Sequence, residues 1–494
     1  MNINYFLIII IIIYLVHNLC KNNFLMNKEN FEEENNSKLI DLYNKTVVRI
    51  RSQKKDFNWV EPYISNSTYE SIGTGFFINL DGYILTNYHV INNALKIYIQ
   101  IPIYGNKTFN CVLLSVYPKL DLALLKILEF KNEKKLELGV SNDLKRGDEV
   151  LAIGYPLGQT KIKMTSGIVS GFQNGDIQTD SAINPGNSGG PLIKNNKVIG
   201  INYSGYNEAQ NVSYAIPIDY FKIIENNMRS KKFINFPILG CTFNNTNDTI
   251  MKKRVLCNEG YYISNVLKNG TMDLADVRNG DIICSFDGIP IDNFGELYIE
   301  SLDIKFHISD YLKYKKINDI IEVVIIRENE KNKIIKNIKL LSNTFYEIRY
   351  KYPLYENVEY IVICGMVIME LTNNHFDEEE LNVSSIKKYD SMVEKINKKL
   401  IITTILKGSI LSEYNIFKAP CILKEVNKIP VNNIKSLKNA MPKMIEDKNN
   451  QYLSFLNEDN KYFMLEKDEI KKEEIFLSKQ INYPLCDFIK SLLD

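Results

Sequence analysis

The stretch TDSAINPGNSGGPLI, residues 179–193, decides how the whole chain is read. Glycine is sparse elsewhere, 24 in 494 residues, yet three surround one serine in Gly186-Asn187-Ser188-Gly189-Gly190. A backbone so poor in side chains bends sharply and can aim its N–H groups at one point. The cluster formally fits G-x-S-x-G, the strand-to-helix turn that exposes a serine above an α/β sheet. That turn needs a helix starting at the serine, and Gly189-Gly190-Pro191 is a poor helix interior. It also needs the chain order Ser, acid, His, and the histidines after Ser188 are His307 and His375, both in a later region. The α/β reading is disfavoured.

Moving outward, residues 41–232 read as many short strands: TVVRIR, TGFFI, GYILTN, LKIYIQI, CVLLSV, ALLKIL, EVLAIGY, GIVSGF, KVIGINY and VSYAIPI. They are rich in Val, Ile, Tyr and Phe and are separated by Gly, Asn, Asp or Pro, the signature of an all-β sandwich or barrel. His17 lies in an apolar leader, so His89 in ILTNYHVI (84–91) is the histidine that shares this region with Ser188. Between them Asp121 opens the apolar run DLALLKI (121–127). The order His, Asp, Ser, with spacings of 32 and 67 residues, is that of the chymotrypsin-like double barrel.

The residue types suit acyl transfer. A serine hydroxyl is a weak nucleophile until an adjacent base takes its proton, and an imidazole titrates near neutrality. Asp121 would hold one tautomer of His89 and stabilise the imidazolium. Backbone N–H groups of Gly186 and Ser188 would face the developing oxyanion, which accounts for the glycines. A gly-rich loop alone is usually a turn, and a lone His before an apolar pair is usually structural; the joint order outweighs both.

Composition narrows the rest. The net charge of +1 gives no bulk field for nucleic acid, and 45% hydrophobic with 24% charged residues is ordinary for globular protein. None of the eight cysteines forms a CxxC, and four histidines supply no zinc-type cluster; mostly free, buried thiols are expected. No metal or cofactor is called for. Tyr5 to Val16, YFLIIIIIIYLV, has the length of a signal-peptide core and is short for a membrane span. Residues 1–25 are expected to be a secretory signal or, if uncleaved, a membrane anchor. The glycine-rich 154–175 segment is expected to wall the cleft, as a mobile loop or as plain strand turns, and Tyr203 to Tyr206 to border it.

Two later segments, 236–345 and 350–445, mix strands with short helical stretches and share a phrase, IICSFDGIPIDNFGEL (282–297) and ILKEVNKIPVNNIKSL (422–437). This is a weak internal repeat of one module of roughly a hundred residues. A charged extension, 446–494, closes the chain.

With GTGFFINLDGYILTNYHVI, DLALLKI and IQTDSAINPGNSGGPLI in view, the chain resembles the HtrA/DegP-type serine proteases, most closely the plant Deg branch. The resemblance implies an all-β trypsin-like double barrel followed by two α+β PDZ-like domains. PILGC (237–241), with Ile238, Leu239 and Gly240, and YIVICGMV (360–367) look like the two carboxylate-binding loops. Neither spells Gly-Leu-Gly-Phe, which puts peptide binding by the second in doubt and leaves an oligomer contact as its other use. In chymotrypsin-like chains the position six before the nucleophile lies at the floor of the primary pocket; here it is Ala182, beside Ile183, so a small apolar residue such as Val, Ala or Ile is expected before the scissile bond. The family further implies ATP-independent cleavage of unfolded protein, recognition of C-termini and assembly as a trimer or hexamer. It implies residence in the secretory pathway or an organelle reached through it. The other reading is a holding or PDZ-based binding protein whose protease site is gated or idle.

Overall fold

Fourteen short strands fold residues 47–217 into two seven-stranded sheets. The first contains β1 (Val47–Lys54), β2 (Tyr69–Phe77), β3 (Tyr83–Asn87), β4 (Ala94–Gln100), β5 (Thr108–Asn110), β6 (Val112–Tyr117) and β7 (Leu122–Lys126), in the order β5-β4-β1-β2-β3-β7-β6. The second contains β8 (Glu137–Leu138), β9 (Glu149–Gly154), β10 (Lys163–Gln173), β11 (Asp176–Thr179), β12 (Pro191–Lys194), β13 (Lys197–Tyr203) and β14 (Ser213–Pro217). Because β12 pairs with both β9 and β13, this sheet closes on itself as a barrel, which removes its free edges. All ten strand runs read from the sequence are present. The structure, a computed structural model, describes residues 37–203, 212–246 and 257–493; the leader and residues 204–206 lie outside them.

Each barrel has its own apolar filling, Val48, Ile50, Phe77, Ile84 and Ile99 in the first and Val150, Val169, Ile177, Leu192 and Ile199 in the second. A third cluster lies between them, with Phe76, Leu85, Leu122, Ile153 and Ile201. It is sealed by Tyr220, Phe221, Ile224 and Met228, which recur on one face of helix Ile218–Ser230. Burying that seam is what holds the two barrels face to face.

The two repeat phrases fold alike. The second unit has β15 (Pro237–Ile238), β16 (Cys241–Asn244), β17 (Tyr261–Val266), β18 (Ile282–Phe286), β19 (Ile289–Pro290), β20 (Glu296–Ile299), β21 (Ile304–His307), β22 (Ile320–Ile326), β23 (Ile334–Lys339) and β24 (Leu341–Ser342). The third has β25 (Tyr360–Ile363), β26 (Met366–Glu370), β27 (Leu400–Ile405), β28 (Cys421–Val426), β29 (Ile429–Pro430), β30 (Ile445–Asp447), β31 (Asn450–Asn457) and β32 (Tyr462–Glu466). In both, the repeat phrase is a tight hairpin, β18–β19 and β28–β29, whose turns Asp287-Gly288 and Asn427-Lys428 have positive φ. Of residues 446–494, set apart in the sequence as an extension, Asn450–Asn457 and Tyr462–Glu466 are strands of the third unit's sheet, because β31 pairs with β28 and β32 with β31, and helices Lys467–Ile481 and Asp487–Leu493 follow. Charge hid this: β31 and β32 lie within a Lys/Glu-rich stretch, although Leu453, Phe455, Phe463 and Leu465 are buried.

The units differ at one edge. In the second, β16 is the outermost strand of its sheet, and its outer edge pairs with no other strand among the described residues. In the third, the equivalent β26 is covered by β25 through a two-residue turn, Cys364-Gly365, with φ of 51° and 70°. Burial of this turn is completed by Glu474, on helix Lys467–Ile481, whose Oε1 accepts the Cys364 N–H at 2.7 Å and whose Oε2 accepts the Tyr483 hydroxyl at 2.8 Å.

The third unit also grips the first barrel. Trp59, the single tryptophan, packs edge-on against His375 at 5.3 Å and among Met369, Leu371 and Ile401. Thr403 Oγ1 donates to the Val60 carbonyl at 2.7 Å.

Not every cysteine is a free thiol: Cys257 and Cys284 form a disulfide, while Cys241, Cys364 and Cys421 are free and buried. Spacing could not show the pair, because its two halves come together only when β18 joins the sheet.

Two buried groups of the third unit titrate with opposite sign. Burial lowers His375 to about 4 and raises Glu474 to about 7. Between about pH 6.5 and 4 the unfolded chain protonates its histidine and the folded chain does not, so acid destabilises through His375. Between about pH 7 and 4.5 the folded chain protonates Glu474 and the unfolded chain does not, so acid stabilises through Glu474. Glu474→Gln removes only the second effect. Wild type should therefore gain on the variant as pH falls from 7 to 4.5, by up to about 1.4 kcal/mol per pH unit, in parallel thermal melts. A constant difference would refute the buried-proton assignment.

Candidate active site

The short helix α1 (Tyr88–Ile91) begins where β3 ends, and its second residue is His89. Asp121 ends the 3-10 turn Pro118–Leu120 in the left-handed region, φ 51°, a conformation that Asp tolerates. The kink points its carboxylate at α1: Oδ1 accepts the His89 N–H at 2.7 Å, and Oδ2 lies 2.6 Å from Nδ1. The Asp121 carbonyl accepts the Tyr88 N–H at 2.9 Å and Asn87 Nδ2 at 3.1 Å. With a carboxylate as its partner, Nδ1 carries the proton and Nε2 keeps its lone pair. His89 remains about half exposed, its side chain 47% accessible.

Ser188 lies on the loop before β12, and a strand rather than a helix follows it, which excludes the α/β elbow. The loop is tied to the first barrel by threonines. Thr74 donates its N–H to the Ser188 carbonyl at 2.9 Å, and its Oγ1 donates to the Gly186 carbonyl at 2.7 Å. Thr86 Oγ1 donates to the Thr74 carbonyl at 2.7 Å. Gly189, at φ 85°, sits where a Cβ would collide with Thr74 O and Thr86 Oγ1, next to the backbone of Asn87. Ser188 is thus one residue from a contact with the turn that carries His89. The Gly189 N–H donates to Asn202 O at 2.8 Å, whereas those of Gly186 and Ser188 have no acceptor among the described residues. Gly186 needs its freedom: φ is 99°, and a Cβ would meet Tyr155 O. No hydrogen bond joins the His89 ring to the Ser188 hydroxyl among the described residues.

Ala182 is exposed, with its carbonyl accepting Thr165 Oγ1 at 3.0 Å, and Ile183 is buried in the second barrel's filling. Within the glycine-rich 154–175 segment, Lys163–Gln173 is strand β10, paired with β9. Tyr203 ends β13 and donates its hydroxyl to Asp176 Oδ2 at 2.8 Å.

A second concave site lies between the first and second units. Strand β16 borders an apolar groove of about 520 Å³, lined by Ile238, Leu239 and Gly240 together with Leu120, Phe243 and Leu312. The Leu239 and Gly240 carbonyls accept Met272 N and Leu267 N, while their own N–H groups have no acceptor among the described residues. His307 lines this groove, its ring nitrogens near Ser309 Oγ and Tyr261 OH, and His375 is buried in the third unit; neither approaches Ser188's loop. Lys119 and Leu120, in the groove wall, directly precede Asp121. On the other side of that turn Lys313 of the second unit reaches Asp176, 3.8 Å away. Among the described residues no group of three or more His, Cys, Asp or Glu side chains converges as a metal site would require.

Thr74 and Thr86 were not singled out in the sequence. The signal available was Thr74's place between Gly73 and Gly75 in strand β2, where two glycines leave room for another chain segment.

Residues 73–201 match the trypsin-like peptidase domain family, and residues 351–484 match a PDZ domain family. The chain is 31% identical over 386 residues to a probable periplasmic serine endoprotease DegP-like of Rickettsia conorii, covering 68% of this chain and 75% of the relative. It is 26% identical over 476 residues to the putative protease Do-like 3, mitochondrial, of Arabidopsis thaliana, covering 92% and 81%. The solved HtrA-type protease AlgW with tripeptide aligns at a TM-score of 0.48 and 23% identity, over 62% of this chain and 96% of that one.

Proposed function

We propose that this chain, which belongs to the DegP-like serine endoprotease family, cleaves unfolded polypeptides with Ser188 as nucleophile, His89 as general base and Asp121 as the group that orients His89. The observation that carries the assignment is the double hold of Asp121 on His89, at its N–H and at Nδ1, which leaves Nε2 as the free base. When a peptide carbonyl enters, Nε2 takes the Ser188 proton as Oγ attacks the carbonyl carbon. The unpaired N–H groups of Gly186 and Ser188 are the donors for the oxyanion. His89 then returns its proton to the leaving amine, and water repeats the cycle on the acyl-enzyme. Nothing in this sequence of steps needs ATP.

The β16 edge and the N–H groups of Leu239 and Gly240, unpaired among the described residues, support the second unit as the receptor for substrate C-termini, by strand addition with the terminal carboxylate at the loop. The third unit has its β26 edge covered, which supports a structural role for it. Assembly as a trimer or hexamer, and residence in the secretory pathway or an organelle, complete the reading. The Cys257–Cys284 disulfide favours such a compartment over a reducing cytosol.

Labelling of the full chain by a fluorophosphonate, with cuts in unfolded casein mapped by mass spectrometry, tests the reading. Labelling at Ser188 and cuts after Val, Ala or Ile are expected, since Ala182 and Ile183 offer no charge to a Lys or Arg side chain. Cuts mainly after Lys or Arg would overturn the pocket assignment. Absence of labelling, with aggregation of casein still suppressed, would replace the protease reading by the holding one.

A further inference from the structure

Lys54, the last residue of β1, is only 4% exposed, and β1 bulges there against β4. Among the described residues its ammonium has two acceptors, the carbonyl of His89 within α1 at 2.6 Å and Oδ1 of Asn92, which caps α1, at 2.6 Å. A buried ammonium is costly, and an apolar side chain of the same length would fill the site more cheaply. The charge therefore calls for a reason beyond packing.

That reason lies in the helix it touches. A four-residue helix has almost no internal hydrogen bonds, so its carbonyls need outside donors. Tyr88 O receives the Asn92 N–H at 2.8 Å, and Val90 O receives Ser52 Oγ at 2.8 Å. His89 O receives Lys54. The neighbouring backbone is sewn to the same turn, with Lys55 N–H on Asn93 O at 3.0 Å and Asn93 Nδ2 on Asp56 Oδ1 at 2.9 Å.

We infer that Lys54 is a positioning residue for the catalytic base: Asp121 holds the His89 N–H and ring, Lys54 holds the His89 carbonyl, and together they fix both peptide groups from which the imidazole pivots. The inference rests on His89 acting as the base. Burial lowers the Lys54 ammonium to about 8, with Asp56 and Asp121 pulling the other way, so it is charged at neutral pH. Its role is charge-assisted fixation of a backbone that its own hydrogen bonds cannot hold. A shift of the base by about an ångström costs on the order of 10²-fold in rate, which sets the scale of the effect.

The test compares Lys54→Met, which keeps the apolar stem, with wild type, in the full chain and in a His89→Ala background. Expected is a loss of about 10- to 100-fold in kcat on unfolded casein and in the fluorophosphonate labelling rate, with KM nearly unchanged. In the His89→Ala background the same substitution should have no further effect on labelling, because its route to the chemistry is gone. An equal loss in both backgrounds would show a general structural role and overturn the inference, as would wild-type kcat in a folded Lys54→Met. Asn92→Ala, at a half-buried position, removes the second acceptor and covers the case in which Lys54→Met does not fold. It should lower kcat several-fold in the His89 background only, and a wild-type kcat there counts against the inference. Failure of the triad reading looks different: His89→Ala itself would then retain wild-type activity.

Discussion

Ser188→Ala is expected to lower kcat by about 10⁶-fold while leaving the fold and KM for unfolded casein in place. The substitution removes one oxygen from a loop whose shape is set elsewhere, by Thr74 on the Gly186 and Ser188 carbonyls and by the Asn202 carbonyl on the Gly189 N–H. No described hydrogen bond depends on the Ser188 hydroxyl, so the melting temperature should hardly move. His89→Ala should cost about as much, and the double variant no more than either, because nucleophile and base act as one unit. Residual turnover well above that level would mean that another group attacks the carbonyl. Parallel progress curves on casein, with fluorophosphonate labelling as the chemical readout, decide between these outcomes.

Asp121→Asn is expected to cost about 10⁴-fold in kcat with the backbone unchanged. Asn is nearly the same size and shares the tolerance of Asp for the left-handed conformation at φ 51°, so the turn survives. What changes is hydrogen-bond polarity. Both carboxylate oxygens accept, one from the His89 N–H and one from Nδ1. An amide has one acceptor and one donor. If its oxygen stays on the His89 N–H, its NH₂ faces Nδ1 and selects the tautomer with the proton on Nε2, where the serine proton has to go. KM should stay near the wild-type value, since no substrate contact is removed. A loss of less than tenfold would show that Asp121 does not set the tautomer.

The candidate site was legible where residue type alone restricts the chemistry. A histidine, an aspartate at the mouth of an apolar strand and a serine among glycines are few enough, in a chain with four histidines, for their order to carry information. Thr74, Thr86 and Lys54 were not legible in the same way. Thr and Lys are common on strands and surfaces, and nothing in their spacing shows that they turn inward to hold Gly186, Gly189's neighbour strand and His89. The shared hairpins β18–β19 and β28–β29 could be read from a repeated phrase, because a tight turn needs particular residues. The length of the third unit could not, because β31 and β32 join it by pairing with β28 across a long separation in sequence.

By itself the sequence determined the all-β class of the first unit, ten of the fourteen strands of residues 47–217, the hairpin phrase repeated after it and the chain order His89, Asp121, Ser188. These follow from local rules: side-chain alternation in strands, turn residues between them, and the need of each reaction role for a particular functional group. Tertiary structure alone decided that Asp121 holds two donors of His89 and that Lys54 caps the helix carrying it. It also decided that β16 ends its sheet among the described residues while β26 is covered by β25, and that Cys257 joins Cys284. These are contacts between segments far apart in the chain. Hydrogen-bond direction and strand partner are chosen only when the barrels and sheets close, because burial then leaves each polar group one place to go.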